Sequence, residues 1–221
     1  MKTEKLQAMK QLFEKNTILL MSDLCQSFEE TAMRTIIRYL NEIGYYSSYN
    51  HRGMYYTITG IPKFNDYGLW GYKEALFSSY GNLKETICAQ IDISEAGMTN
   101  SELTVLLSVE TKSILSTLST VGAISRNKSQ GVYTYFSTDP IRGEQQRMRR
   151  AELNEKLNIY TKIAPYDIVD VLAAYIKGIR TPDKVAANLR NKGRSISRSA
   201  VAVIFERFEL EIDSDGKKNT I

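Results

Sequence analysis

Apolar positions along the chain recur with two different periods. Between Thr31 and Ile43 they return every three or four residues. Ala32, Ile36, Ile37, Leu40 and Ile43 therefore share one face of a predicted helix. Gly44 follows the last of them, where a helix commonly ends on a left-handed residue that glycine adopts at little cost. Tyr45 to Tyr49 and Met54 to Thr59 then carry the aromatic and β-branched residues typical of strands. Asn50, His51, Arg52 and Gly53 between them read as a hairpin loop with a basic tip. The stretch predicts a helix, a glycine stop and a two-stranded ribbon.

The same pattern returns 78 positions later. Ile36, Leu40, Gly44, Ser47, Gly53 and Tyr55 recur as Ile114, Leu118, Gly122, Ser125, Gly131 and Tyr133. The second copy has the same glycine stop, the same loop length and the same glycine at the end of the loop. Two copies in register point to an internal duplication.

The flanking pattern extends each copy into a module. Leu6, Met9, Leu12 and Phe13 predict a first helix over 3–14. Thr17 to Leu20 suit a short strand pairing with the ribbon. Ser22 is placed to cap a short helix through Phe28. In the second copy Asn82 caps a helix carrying Leu83, Ile87, Cys88 and Ile91. Thr99 or Asn100, with Glu102, predicts a capping box before the next helix. Module one spans 1–60 and module two 82–139. Residues 61–81 hold Phe64, Tyr67, Trp70, Tyr72, Phe77 and Tyr80. That aromatic load predicts an ordered connector packed between the modules, with Trp70 largely buried, rather than a flexible linker. An aromatic platform for single-stranded bases is the sharper alternative, but it would need interleaved basic residues.

Residues 140–164 read as a charged linker helix after Pro140. There Arg142, Arg147, Arg149 and Arg150 could track a phosphate backbone, or simply face solvent. Residues 165–221 form a third unit. Pro165 opens a helix with Ile168, Val169, Val171 and Leu172. Thr181, Pro182 and Asp183 make a strong helix start, and Val185, Ala186 and Leu189 its buried face. After Gly193, Ser197 caps a last helix with Val201, Ile204, Phe205 and Phe208. The polar tail from Asp213 is expected to fray.

Helix, short strand, helix, helix, strand, strand is the order of a winged helix domain, so residues 1–136 resemble tandem winged helix-turn-helix DNA-binding proteins. The last two helices resemble a helix-turn-helix like those of transcription factors and transposase DNA-binding domains. The expected fold is mainly α with small β-hairpin wings: two winged helix-turn-helix domains in tandem plus a C-terminal helical helix-turn-helix unit. The resemblance implies a sequence-specific double-stranded DNA-binding protein, a transcriptional regulator or a mobile-element accessory factor. It names no operator and no oligomeric state. The alternative is a winged-helix protein–protein interaction module without catalytic activity.

Charge refines that picture by segment. The whole chain carries +4, mild for a protein that neutralises phosphates. Residues 82–139 hold four basic and six acidic residues, whereas 165–207 hold eight basic and four acidic. Module two is therefore expected to bind DNA weakly on its own and is the candidate for a protein partner. The expected DNA contacts in module one are Arg34, Thr35, Arg38 and Asn41 on the third helix, with His51 and Arg52 at the wing tip. Arg can fork onto guanine or phosphate, Asn can pair with adenine, and Thr can reach a phosphate or a thymine methyl. Arg126 and Lys128 are the candidates on the second wing. The corresponding helix face offers Thr111, Lys112, Ser113, Ser116 and Thr117. Arg194 and Arg198 flank the start of the last helix.

The chain shows no phosphate loop, nucleophile elbow or metal-ligand spacing, and His51 is its only histidine. No cofactor, metal or catalytic residue is expected. Cys25 and Cys88 read as buried free thiols in a reducing compartment. No apolar run approaches the roughly 18 residues of a membrane span. A cytoplasmic protein is expected, nucleoid-associated if it binds DNA.

Overall fold

A computed structural model describes residues 2–29 and 31–213; the tail expected beyond residue 213 lies outside the described residues. The chain is mainly helical with small antiparallel sheets. It divides into two compact units, Met1–Arg147 and Met148–Ile221.

The first unit opens with α1 (Lys2–Asn16), β1 (Leu19–Leu20), α2 (Met21–Ser27) and α3 (Met33–Ile43), then β2 (Tyr45–Ser47) and β3 (Tyr55–Ile58). The three strands form a sheet in the order β1-β3-β2. Met9, Phe13, Leu24, Ile36 and Leu40 fill its core. Two local expectations change. Leu20, not Ser22, occupies the cap position of α2, because the Asp23 carboxylate accepts the Leu20 N–H at 3.1 Å. On α3 the buried face is rotated: Tyr39 is enclosed, while Ile37 is 36% exposed.

The second half of this unit repeats the plan. After α4 (Leu83–Ile93) come β6 (Met98–Thr99), α5 (Asn100–Leu107), α6 (Lys112–Thr120), β7 (Ser125–Ser129) and β8 (Val132–Phe136). The sheet order is β6-β8-β7, the same arrangement of edge, centre and edge. Gly44 and Gly122, both left-handed, each follow a helix and lead into a hairpin. Asn82 and Thr99 cap α4 and α5 through boxes completed by Glu85 and Glu102. Such boxes are local, satisfying the first N–H groups of a helix from within a four-residue stretch.

The two hairpins differ where equal loops were expected. The second ladder runs to Ser129↔Val132 and closes on Gln130 and Gly131, at φ 50° and 84°. Left-handed backbone at both central positions is what a type I′ turn demands. The first ladder stops at Ser47↔Tyr56 and closes through a wider loop with a 3-10 turn at His51–Gly53.

The aromatic connector is a β-hairpin of its own, β4 (Leu69–Tyr72) and β5 (Ala75–Ser78). Trp70, Tyr72, Ala75 and Phe77 pack with Ile18, Tyr46 and Tyr55 of module one. Leu69 joins the core of module two, beside Ile87, Ile91 and Leu103. The connector thus shields the junction, but its buried anchor is Phe77. Trp70 is only half-buried, its ring 5.2 Å from Phe77 and 5.7 Å from Tyr72.

The helix α7 (Pro140–Thr161) crosses from one unit to the other, so its first residues, expected in a linker, complete module two. Gln146 is fully buried there: its carbonyl accepts Ser137 N–H at 2.8 Å, and its amide donates to Ile91 O at 2.6 Å and Ser94 O at 2.9 Å.

The second unit holds the rest of α7, α8 (Pro165–Ile176), α9 (Pro182–Asn191) and α10 (Arg198–Arg207). Val171, Val185, Leu189, Val201, Ile204 and Phe205 form its core. Val169 and Phe208, among the apolar residues that predicted these helices, are exposed at 64% and 43%. Thr181 stands at the cap of α9 without a side-chain cap bond, whereas Ser197 Oγ accepts Ala200 N–H at 3.1 Å.

Candidate nucleic-acid interface

The face of α3 opposite its buried residues carries Arg34, Arg38 and Asn41, all exposed; Thr35 is half-buried at its edge. Spacings of three and four residues place them side by side on the surface. The Arg38 guanidinium lies 5.8 Å from the Tyr39 ring centre, and Asn41 Nδ2 donates to Ile37 O at 3.0 Å. Both side chains are thus loosely steered along the helix. Ile37 sits among them, three residues after Arg34 and four before Asn41.

Beside this stripe lies an open groove of about 490 Å³ between α3 and the first hairpin. Its lining is largely apolar: Leu20, Met21, Met33, Ile37 and Met54, with Arg52 at the hairpin end. Met33 and Met54 are 54% and 50% exposed. The alternation pattern in the sequence did not signal this groove, because its residues come from four separate elements.

The hairpin tip is braced. His51 Nε2 faces Glu74 O at 3.1 Å, so this nitrogen carries the proton. Asn50 Nδ2 donates to the same carbonyl at 2.7 Å, while its Oδ1 accepts Leu76 N–H at 3.0 Å. Tyr55 donates its hydroxyl to the Glu74 carboxylate at 2.7 Å. That bond holds the Glu74 carboxyl below its ordinary range and pushes the Tyr55 phenol up. His51 and Arg52 are left-handed, at φ 45° and 57°, a conformation kept only where the surroundings enforce it. Of the two tip residues proposed as contacts, His51 is turned to Glu74 and Arg52 is the outward cation.

In module two the expected helix face is altered. Thr111 is fully buried, donating to Asn100 Oδ1 at 2.9 Å, and is withdrawn from the surface. Lys112, Ser113, Ser116 and Thr117 remain exposed. Thr117 turns its hydroxyl back to Ser113 O at 3.1 Å, as mid-helix Thr residues do. On the second hairpin, Arg126 and Lys128 flank Tyr133, at 4.9 and 5.5 Å from its ring centre. They form a small exposed cationic patch.

Several arginines with expected phosphate roles have structural partners. Arg142 caps α4, donating to Asp92 O at 3.0 Å, Ile93 O at 3.0 Å and Ser94 O at 2.9 Å. Arg147 and Arg149 pair with Glu144 and Glu152, each at 3.0 Å. In the second unit Arg194 contacts Asp170 at 3.0 Å and lies 4.8 Å from the Tyr166 ring centre. Arg198 pairs with Asp183 at 2.7 Å, but both side chains are well exposed. Such a surface pair holds weakly, and a phosphate could replace the carboxylate. The C-terminal half of α10 is faced by α7: Lys156 meets Glu206 at 2.6 Å, and Arg207 lies 4.3 Å from the Tyr160 ring centre. At the N-terminal end of α10, Ser197, Arg198 and Ser199 are exposed.

Among the described residues no helix is long and apolar enough to cross a membrane, and no group of three or more His, Cys, Asp or Glu is placed to hold a metal ion. Cys25 and Cys88 are free and only half-buried, less enclosed than expected, and burial pushes the Cys88 thiol up. No protein-family model and no curated protein matches this chain.

Proposed function

We propose that this chain is a double-stranded DNA-binding protein of the tandem winged helix-turn-helix type, acting without catalysis as a transcriptional regulator or a mobile-element accessory factor. The observation that carries the reading is the exposed stripe Arg34, Arg38 and Asn41 on α3, set beside a hairpin tip bearing Arg52. These are the side chains that bind phosphates and base edges, on a helix whose opposite face is anchored in a core. The repeated element order and sheet order support two modules of one kind.

Duplex binding measured at several salt concentrations tests this. Each lost phosphate contact lowers the salt slope by about one unit. Replacing Arg34 and Arg38 together with Ala should weaken binding strongly and flatten the slope by about two units. Lys112→Ala should change little. Equal losses would mean that both modules read DNA; no loss in either would refute the assignment to α3. A protein-docking role suits module two specifically, where the α6 face holds one cation and hydroxyls turned to their own backbone.

A further inference from the structure

The groove beside α3 is the feature that the arginine stripe does not explain. Met33, Ile37 and Met54 expose 54%, 36% and 50% of their surface around it. Phosphates and sugar hydroxyls gain nothing from such a lining. Of the groups a major-groove edge presents, the one that is apolar is the C5-methyl of thymine. Ile37 lies within the arginine stripe, and Met33 precedes it by one helical turn. Met54 approaches from the hairpin side of the same groove. Arg52 lines the groove, and Arg34 and Arg38 stand exposed on the helix that supplies Met33 and Ile37. That charge complements a phosphate backbone running beside an apolar strip.

We propose that module one reads thymine, through contact of its 5-methyl group with Met33, Ile37 and Met54. The inference rests on the DNA-binding reading and deepens it. Arginine and asparagine supply hydrogen bonds to guanine and adenine, while the apolar strip selects for methyl groups. Methionine suits the task, since its unbranched, polarisable side chain adapts to a small apolar group at variable depth. A helix face bearing only charged and amide side chains would discriminate poorly between thymine and a base of the same hydrogen-bonding pattern without the methyl.

The test removes methyls and nothing else. The full chain selects duplexes from a pool randomised at its central positions. The retained sequences are then synthesised with thymine or with deoxyuridine. Each methyl lost from the contact should weaken binding about fourfold, the equivalent of ~0.8 kcal/mol for one buried carbon. Met33→Ala with Ile37→Ala, both partly exposed positions, should erase the difference between the two duplexes while leaving the salt slope unchanged. That double-mutant comparison separates methyl contact from any change in duplex shape. Equal affinity of the parent protein for both duplexes overturns the proposal while leaving DNA binding intact. The groove would then be left to an amphipathic protein segment. Retention of no duplex overturns both this proposal and the DNA-binding reading.

Discussion

Gln146→Leu should destabilise the first unit by about 2–3 kcal/mol, because of one orphaned N–H and not because three hydrogen bonds disappear. The side chain is fully enclosed and contacts Ser137 N–H, Ile91 O and Ser94 O. Two of those partners keep another donor. Ser94 Oγ donates to Ile91 O at 2.7 Å, and Arg142 Nη2 donates to Ser94 O at 2.9 Å. They lose one of two bonds, a small effect. Ser137 N–H has no second acceptor and is nearly buried, so it carries the penalty of an unsatisfied donor, ~1–3 kcal/mol. Trp70, the single tryptophan, lies in the same unit and reports its unfolding by fluorescence in urea. The thermal midpoint should fall by about 5–10 °C. Adding Arg142→Ala should cost more than the sum of the single changes, because Ser94 O then loses both donors. The Gln146→Glu variant should lose stability as pH rises from about 4 towards neutrality, since a carboxyl there ionises less readily folded than unfolded. Loss below ~1 kcal/mol, or strict additivity with Arg142→Ala, would refute this account.

One further outcome follows from the connector and one from Tyr49 in the first hairpin. Phe77→Ala should cost about 3–5 kcal/mol and Trp70→Ala clearly less, since Phe77 is enclosed and Trp70 only half-buried; circular dichroism melts of the two variants check the order. Burial pushes the Tyr49 phenol up to about 12, with its hydroxyl donating to Leu107 O at 3.0 Å. The unfolded phenol ionises near its ordinary value of 10.0 while the folded one stays neutral, so its stability contribution is present below pH 10 and is lost as pH rises towards 12. Urea midpoints across that range should fall less steeply in Tyr49→Phe than in the parent, and identical slopes would contradict the assignment.

What the sequence announced was what is encoded locally. The glycine stops at Gly44 and Gly122 need left-handed backbone, and the boxes at Asn82 and Thr99 are complete within four residues. Features made by distant segments were not legible. The β4–β5 hairpin turns at Lys73 and Glu74, which lack the Asn-Gly type of signal, so its strands read as a bare aromatic connector. Thr111 looked available until Asn100, on another helix, claimed its hydroxyl. Arg142 looked like a phosphate ligand because a helix C-terminus nearly fifty residues earlier in the chain gives no sign of needing a cap. The face of α3 was placed correctly at Ile36 and Leu40 but misjudged at Ile37, because the packing of α1 and α2 decides which flank is covered.

The brace at Glu74 fixes when conformational entropy is lost. The tip of the first hairpin has two strained residues, His51 and Arg52, set among side-chain bonds from Asn50, His51 and Tyr55 to Glu74 that form as the chain folds. A ligand meeting Arg52 would therefore find a surface already ordered, and association there would carry little of the ordering cost that a mobile loop imposes. The second hairpin ends on a two-residue turn beyond a regular ladder, with its cations stacked on a tyrosine at the surface. Built on the same topology, the first hairpin is held at its tip by side chains that reach the connector, and the second by its own longer ladder and tight turn.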